Sequence, residues 1–121
     1  MKKLLIVVDM QNDFIDGSLG TAEAVAIVPK VVSKIKNWDG SIITTQDTHF
    51  DNYLDTREGK YLPVPHCIEE TDGHKINSEI FAALVDNSDN FSCLSKLTFG
   101  STTLPELIRG RGFDYIELIG L

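Results

Sequence analysis

The segment Asp114–Leu121 constrains the fold more than any other part of the chain. It is short, mostly apolar and β-branched at Ile116 and Ile119, which reads as a strand buried on both faces. A second run of this kind, Lys3–Asp9, opens the chain and ends on an acid. Strands of that type belong to parallel sheets, whose crossover helices cover both faces.

The intervening residues supply the other elements. Val28–Trp38 places Val28, Val31, Val32, Ile35 and Trp38 near a 3.6-residue period, with Pro29 suited to a first turn. Ser41–Gln46 is β-branched and follows the Asp39-Gly40 turn, which predicts a strand. Residues 47–74 form a long polar stretch whose prolines, aromatics and histidines point to a functional loop. Asn77–Val85 reads as a helix with Ile80, Phe81 and Leu84 inward, Asn90–Lys96 as a strand, and Thr103–Arg109 as a helix. The order β-α-β-loop-α-β-α-β predicts an α/β fold: an open parallel sheet between two helical layers, incomplete at its C-terminal end. Residues 1–121 form a single domain, with no internal repeat or low-complexity tract.

Charge narrows the partners. A net charge of −7 and a pI near 4.8 repel nucleic acid and anionic membrane surfaces. No apolar run approaches the roughly 18 residues of a membrane span, and Leu4–Val8 is too short for a signal peptide. Cytoplasm is therefore expected, with Cys67 and Cys93 as free thiols.

Several polar residues stand where α/β sites are built. Asp9 opens the stretch Asp9-Met10-Gln11-Asn12-Asp13-Phe14 at the carboxyl end of the first strand, the usual site edge of an open parallel sheet. Lys96 ends the third strand, so the two can meet on one rim, although each alone is also an ordinary solvated strand end. In Asp47-Thr48-His49, residues two apart point to the same side of an extended segment, and carboxylate and imidazole can converge on a cation. His66 follows Pro63 and Pro65, which would fix its approach. Two histidines and a carboxylate suit Zn²⁺, Fe²⁺ or Mn²⁺, with Glu58 as a further ligand. The bland alternative is a turn cap beside two loop histidines. His74 has no partner at metal spacing and reads as a surface residue. Cys93 reads as packed within its strand, and Cys67 points away from the side that His66 faces. Neither is expected as a nucleophile.

Two other doubly wound designs fit less well. A phospho-acceptor receiver would need an acid pair after the first strand and a proline after Lys96; a dinucleotide binder would need G-x-G-x-x-G there. The chain has none of these.

Taken in order, Asp9–Phe14, Asp47-Thr48-His49, Pro65-His66-Cys67, Lys96 and the closing Ile119-Gly120-Leu121 resemble the isochorismatase-like cysteine hydrolases, in the branch of nicotinamidase and related amidases. The resemblance implies the N-terminal part of such a hydrolase domain. It implies hydrolysis of a small carboxamide, nicotinamide to nicotinate and ammonia in NAD salvage, through a cysteine thioester. Asp9 would move the proton, Lys96 would stabilise the charged pair, and Phe14 would line the ring pocket. Asp47, His49, His66 and Glu58 would hold a divalent metal, Zn in the first instance, Mn or Fe in the second. A homo-oligomer is expected. The alternatives are an isochorismatase-type vinyl ether hydrolase, which needs no metal, and a non-catalytic remnant. In the family the strand matching Tyr115–Leu121 leads straight into the nucleophilic cysteine, so these 121 residues alone are expected to be poorly soluble and hydrolytically dead.

Overall fold

A computed structural model describes residues 1–87, 91–98 and 100–121. Four strands, β1 (Lys3–Val8), β2 (Ser41–Asp47), β3 (Phe91–Lys96) and β4 (Tyr115–Gly120), form one parallel sheet in the order β3-β2-β1-β4. The helices are α1 (Asn12–Ile15), α2 (Ala22–Lys36), α3 (Arg57–Tyr61), α4 (Ser78–Asn87) and α5 (Thr103–Ile108). This is the three-layer α/β arrangement the sequence predicts.

The sheet is covered on both faces by side chains that alternate along the strands. Leu5, Val7 and Ile42 pack with Val28, Val31 and Ile35 of α2 and with Ile80, Ala83 and Leu84 of α4. Leu4, Ile6 and Ile43 form the opposite cluster, against Leu104 and Ile108 of α5. Each fully buried aliphatic side chain contributes about 1.5–3 kcal/mol, so the central strands carry most of the cohesion. The outer strand β4 is less covered, and Leu118 is 65% exposed. Gly120, at φ +120°, lets β4 close on β1, because a Cβ there would strike the Val8 backbone.

Three local expectations need correction. Helix α2 begins at Ala22, six residues before the expected Val28, because the Thr21 hydroxyl accepts the Ala24 N–H at 3.0 Å and caps it. Pro29 therefore lies inside the helix rather than in its first turn. The carbonyl it strips of a partner belongs to Val25, which is 49% exposed, so water can take that bond. In α4 the Asn77 side chain accepts the N–H groups of Glu79 and Ile80, and the buried stripe is Ile80, Ala83 and Leu84. Phe81 is turned about 100° from Ile80 and is 47% exposed, edge-on to Phe91 at 6.4 Å. Cys93 is exposed rather than packed, because β3 is the outer strand of the described sheet. Asn90, the expected first residue of that strand, lies outside the described residues.

The 47–74 stretch is ordered by α3 and by two 3₁₀ turns, Tyr53–Asp55 and Asp72–His74. Both cysteines are free. No helix among the described residues is long and apolar enough to cross a membrane.

The core assignment is testable in α4. Leu84→Ala is expected to lower the unfolding free energy by about 2–5 kcal/mol, and Phe81→Ala by no more than about 1 kcal/mol. Urea denaturation of both variants reads the difference; equal losses would contradict the packing described.

Candidate active site

Strand register decides which charges meet. Asp47 and Lys96 are register partners across β2 and β3, and Asp9 follows β1 at the same rim. Asp9 leaves the strand at φ +50°, a left-handed conformation uncommon outside glycine but tolerated by Asp. Thr45 of β2 holds it there. Its hydroxyl donates to Asp9 Oδ1 at 2.6 Å and accepts the Asp9 backbone N–H at 3.1 Å. The other carboxylate oxygen, Oδ2, meets Lys96 Nζ at 2.8 Å, and the same ammonium stands 3.7 Å from Asp47 Oδ1. All three ionic side chains are largely withdrawn from solvent, a placement that opposite charges must share to be tolerated.

Beyond Asp47 lies a second cluster. His49 Nε2 is 3.0 Å from Asp47 Oδ2 and 2.9 Å from Glu58 Oε2, while His66 Nε2 is 3.3 Å from Asp47 Oδ2. His66 Nδ1 donates to the Val64 carbonyl at 2.7 Å. In the neutral ring that leaves the Nε2 lone pair facing a carboxylate oxygen, acceptor against acceptor, a contact relieved by a proton on Nε2 or by a cation between the two. One ligand atom from each of Asp47, His49, Glu58 and His66 lies within 4.8 Å of the others. Metal–ligand distances of about 2.0–2.2 Å place ligand atoms of one ion at similar separations. Asp47 Oδ1 is buried without a hydrogen bond. The donor set and its spread fit a divalent transition metal.

Electrostatics agree with the geometry. Burial works against the Asp47 carboxylate, but the His66 hydrogen bond and the charges of His49 and Lys96 outweigh it and hold its pKa below the ordinary value. Burial likewise disfavours His66 imidazolium, yet the hydrogen bonds to Asp47 and Val64 outweigh it and raise that pKa. A buried ring, Tyr53, stands edge-on to His49 at 4.7 Å and to His66 at 5.1 Å. Its hydroxyl donates to the Leu62 carbonyl at 2.8 Å. Burial, with Glu58 and Asp47 adding to it, pushes its pKa up, so the phenol stays a neutral donor.

The Asp9–Phe14 segment organises both clusters. Gln11 is fully buried; its Nε2 donates to the Asp47 and His74 carbonyls and its Oε1 accepts the Asp47 N–H, each at 2.8 Å. Asp13 accepts the Cys67 N–H at 2.7 Å, which secures the residue after His66 in a left-handed turn of φ +50°. Phe14 packs against the His66 ring at 5.4 Å. Gly59 lets α3 lie on the Tyr53–Leu54 backbone, which a Cβ would strike, and so delivers Glu58.

A cavity of about 570 Å³ opens over these groups. Asp9, Lys96, Asp47, Glu58 and His66 form its polar side; Phe14, Leu19, Leu62 and Leu121 are among its apolar walls. Every candidate site residue named from the sequence thus lies in or beside one cavity, His49 through its contacts with Asp47 and Glu58. Thr45, Gln11, Asp13 and Tyr53 were not singled out there. The alternation of Asp9, Gln11 and Asp13 is a signal in hindsight, whereas Thr45 and Tyr53 carry none. His74 is half-buried rather than superficial: its Nε2 pairs with the Thr48 hydroxyl at 2.9 Å. Cys67 is fully buried, and burial, with Asp47, Asp13 and Asp9 adding to it, pushes its thiol pKa far up. That is the opposite of an activated nucleophile.

The isochorismatase domain pattern matches residues 3–121. The chain belongs to the isochorismatase domain family. Its fold is that of solved members of this group. Pyrazinamidase of Pyrococcus horikoshii in complex with zinc is 32% identical, covers all of this chain and 71% of its own length, and superposes with a TM-score of 0.74. N-carbamoylsarcosine amidase from Thermoplasma acidophilum is 30% identical over 99% of this chain and 68% of its own, with a TM-score of 0.71. The pyrazinamidase/nicotinamidase of Streptococcus mutans UA159 is 27% identical over 99% of this chain and 72% of its own, with a TM-score of 0.81. In this isochorismatase-family hydrolase, the four-residue group fits a divalent metal.

Two variants test the site. His49→Ala is expected to abolish stoichiometric Zn²⁺ uptake in titration, with little loss of fold. Gln11→Met leaves the Asp47 and His74 backbone groups unsatisfied, at about 1–3 kcal/mol each, and should lower both stability and Zn²⁺ affinity. Unchanged uptake in either variant would refute the arrangement.

Proposed function

We propose that this chain carries the acid–base and metal-binding part of a nicotinamidase-type amidohydrolase. The reaction is hydrolysis of a small carboxamide, nicotinamide to nicotinate and ammonia, through a cysteine thioester. One observation carries the reading: a single 570 Å³ cavity holds the Asp9–Lys96 pair beside the Asp47/His66/Glu58 group. Relatives named as pyrazinamidase, nicotinamidase and N-carbamoylsarcosine amidase support amide chemistry. The vinyl ether alternative has no use for the four-residue group.

Asp9 Oδ1 is engaged by Thr45 and Oδ2 by Lys96, so the carboxylate is ordered and its charge balanced. It takes the proton of an approaching thiol, and Lys96 steadies the resulting charges. The thiolate adds to the amide carbonyl, and backbone N–H groups receive the oxyanion. Asp9 returns its proton to the nitrogen as the C–N bond breaks, and ammonia leaves. Asp9 then takes a proton from water as its oxygen attacks the thioester, and passes that proton to the departing thiolate, giving the acid and the free thiol. Cys67 is buried, and Cys93 lines a separate cavity beside α4, so neither serves as this thiol. The family resemblance sets the cysteine directly after the strand matching 115–121. Leu121 lines the Asp9 cavity, so a residue following it would enter beside that carboxylate.

Asp47, His49 and His66, with Glu58 directly or through water, would hold a divalent transition metal (Zn, or Mn or Fe), which when bound accepts a lone pair from the substrate and fixes its orientation. Phe14 would face the substrate ring. Nicotinamide as substrate would place the protein in NAD salvage in the cytoplasm, as a homo-oligomer.

Asp9→Asn in the full-length protein, with the nucleophilic cysteine present, is the direct test. Release of ammonia from nicotinamide is expected to fall by at least ~10²–10⁴-fold, while the fold persists and the protein still loads metal at saturating Zn²⁺. Near-normal turnover by this variant would remove Asp9 from the role.

A further inference from the structure

The acid–base pair and the metal group share one cation. Lys96 Nζ lies 2.8 Å from Asp9 Oδ2 and 3.7 Å from Asp47 Oδ1, and the side chains of Lys96 and Asp47 are 8% and 5% exposed. Asp47 meanwhile faces both histidines through its other oxygen, Oδ2. Its Oδ1 is fully buried without a hydrogen bond, so the ammonium is the near charge that this oxygen sees. Between ionic groups this close, with little water to screen them, coupling is strong.

We propose that Lys96 couples the two halves of the site, competing with the metal for the charge of Asp47 and being released toward Asp9 when the metal binds. The inference rests on the reading of Asp47, His49, His66 and Glu58 as metal ligands, and adds a linkage to it.

A divalent cation at the ligand group is repelled by an ammonium 3.7 Å from a shared carboxylate. Asp9 offsets that repulsion, because its carboxylate neutralises Lys96 at 2.8 Å. Removing the lysine charge should therefore tighten metal binding. Removing the Asp9 charge should weaken it, since the ammonium then bears on Asp47 without its counter-charge. Linkage is reciprocal: whatever the lysine costs the metal, the bound metal returns by loosening the Lys96–Asp47 contact. The site would thus be prepared for proton transfer in the metal-loaded state, without a change of fold. A lysine that only props the rim would behave otherwise, and its loss would weaken the metal site by loosening β2 against β3.

The test is a Zn²⁺ titration against a competing chromogenic chelator, with the protein, Lys96→Met, Lys96→Arg, Asp9→Asn and the Asp9→Asn/Lys96→Met double variant. Lys96→Met is expected to bind Zn²⁺ about tenfold or more tighter, Lys96→Arg within about threefold of the parent, and Asp9→Asn about tenfold weaker. In the double variant the Asp9→Asn effect should largely vanish, because the charge it exposes is gone. Should Lys96→Met fail to fold, the neutral and polar Lys96→Gln takes its place in the same cycle. Weaker binding by a folded, neutral Lys96 variant would overturn the coupling, as would an Asp9→Asn effect undiminished in the double variant. Failure of the parent protein itself to bind Zn²⁺ would instead refute the metal-site reading on which the inference rests.

Discussion

The pairing of parallel strands in one register is what the rest of this site depends on. Leu5 aligns with Ile42 and Asp47 with Lys96, so the carboxyl ends of β1, β2 and β3 stop at a common rim. The central strands β1 and β2, which elsewhere bury apolar side chains on both faces, and the outer strand β3 change there to Asp9, Asp47 and Lys96. Hydrophobic burial along the strands supplies the rigidity, and the charged ends gain positions that no loop of this length would hold. A slip of one residue between β2 and β3 would invert the face of every side chain on one of them and separate Asp47 from Lys96.

On that rim the Asp9–Phe14 segment acts as a bracket. Asp9 joins the ion pair, Gln11 ties down the backbone of Asp47, Asp13 secures the turn after His66, and Phe14 packs on the His66 ring. Residues 47–74, long and polar in sequence, are fixed by the same bracket and by Tyr53, whose ring faces both histidines. Two histidines and two carboxylates, drawn from the end of β2, from α3 and from the loop between, are thereby presented at nearly the spacing one metal ion requires.

Much of this was legible in the sequence because it rests on short-range pattern. The apolar run ending in Asp9 and the strand reading that ends in Lys96 named strands and rim together, and Asp47-Thr48-His49 carried its own geometry through the two-residue strand repeat. What escaped was set by tertiary contact. Phe81 has the same apolar character as Ile80, and only the position of α4 against α2 decides which is buried. Pro29 reads as a helix start until Thr21 is seen to cap an alanine-rich turn upstream. Gln11 and Thr45 are ordinary polar residues in sequence, and acquire roles only when partners 36 positions away fold back on them.

The position of a bound divalent ion decides whether Asp47, His49, His66 and Glu58 form one site. Crystals of the protein grown with Zn²⁺ and measured at the zinc absorption edge should show one anomalous peak per chain, about 2.0–2.2 Å from Asp47, His49 and His66 ligand atoms. Glu58 should reach that ion directly or through one water, and Lys96 should remain with Asp9. A peak elsewhere, or none at this cluster with Zn²⁺ in excess, would contradict the account.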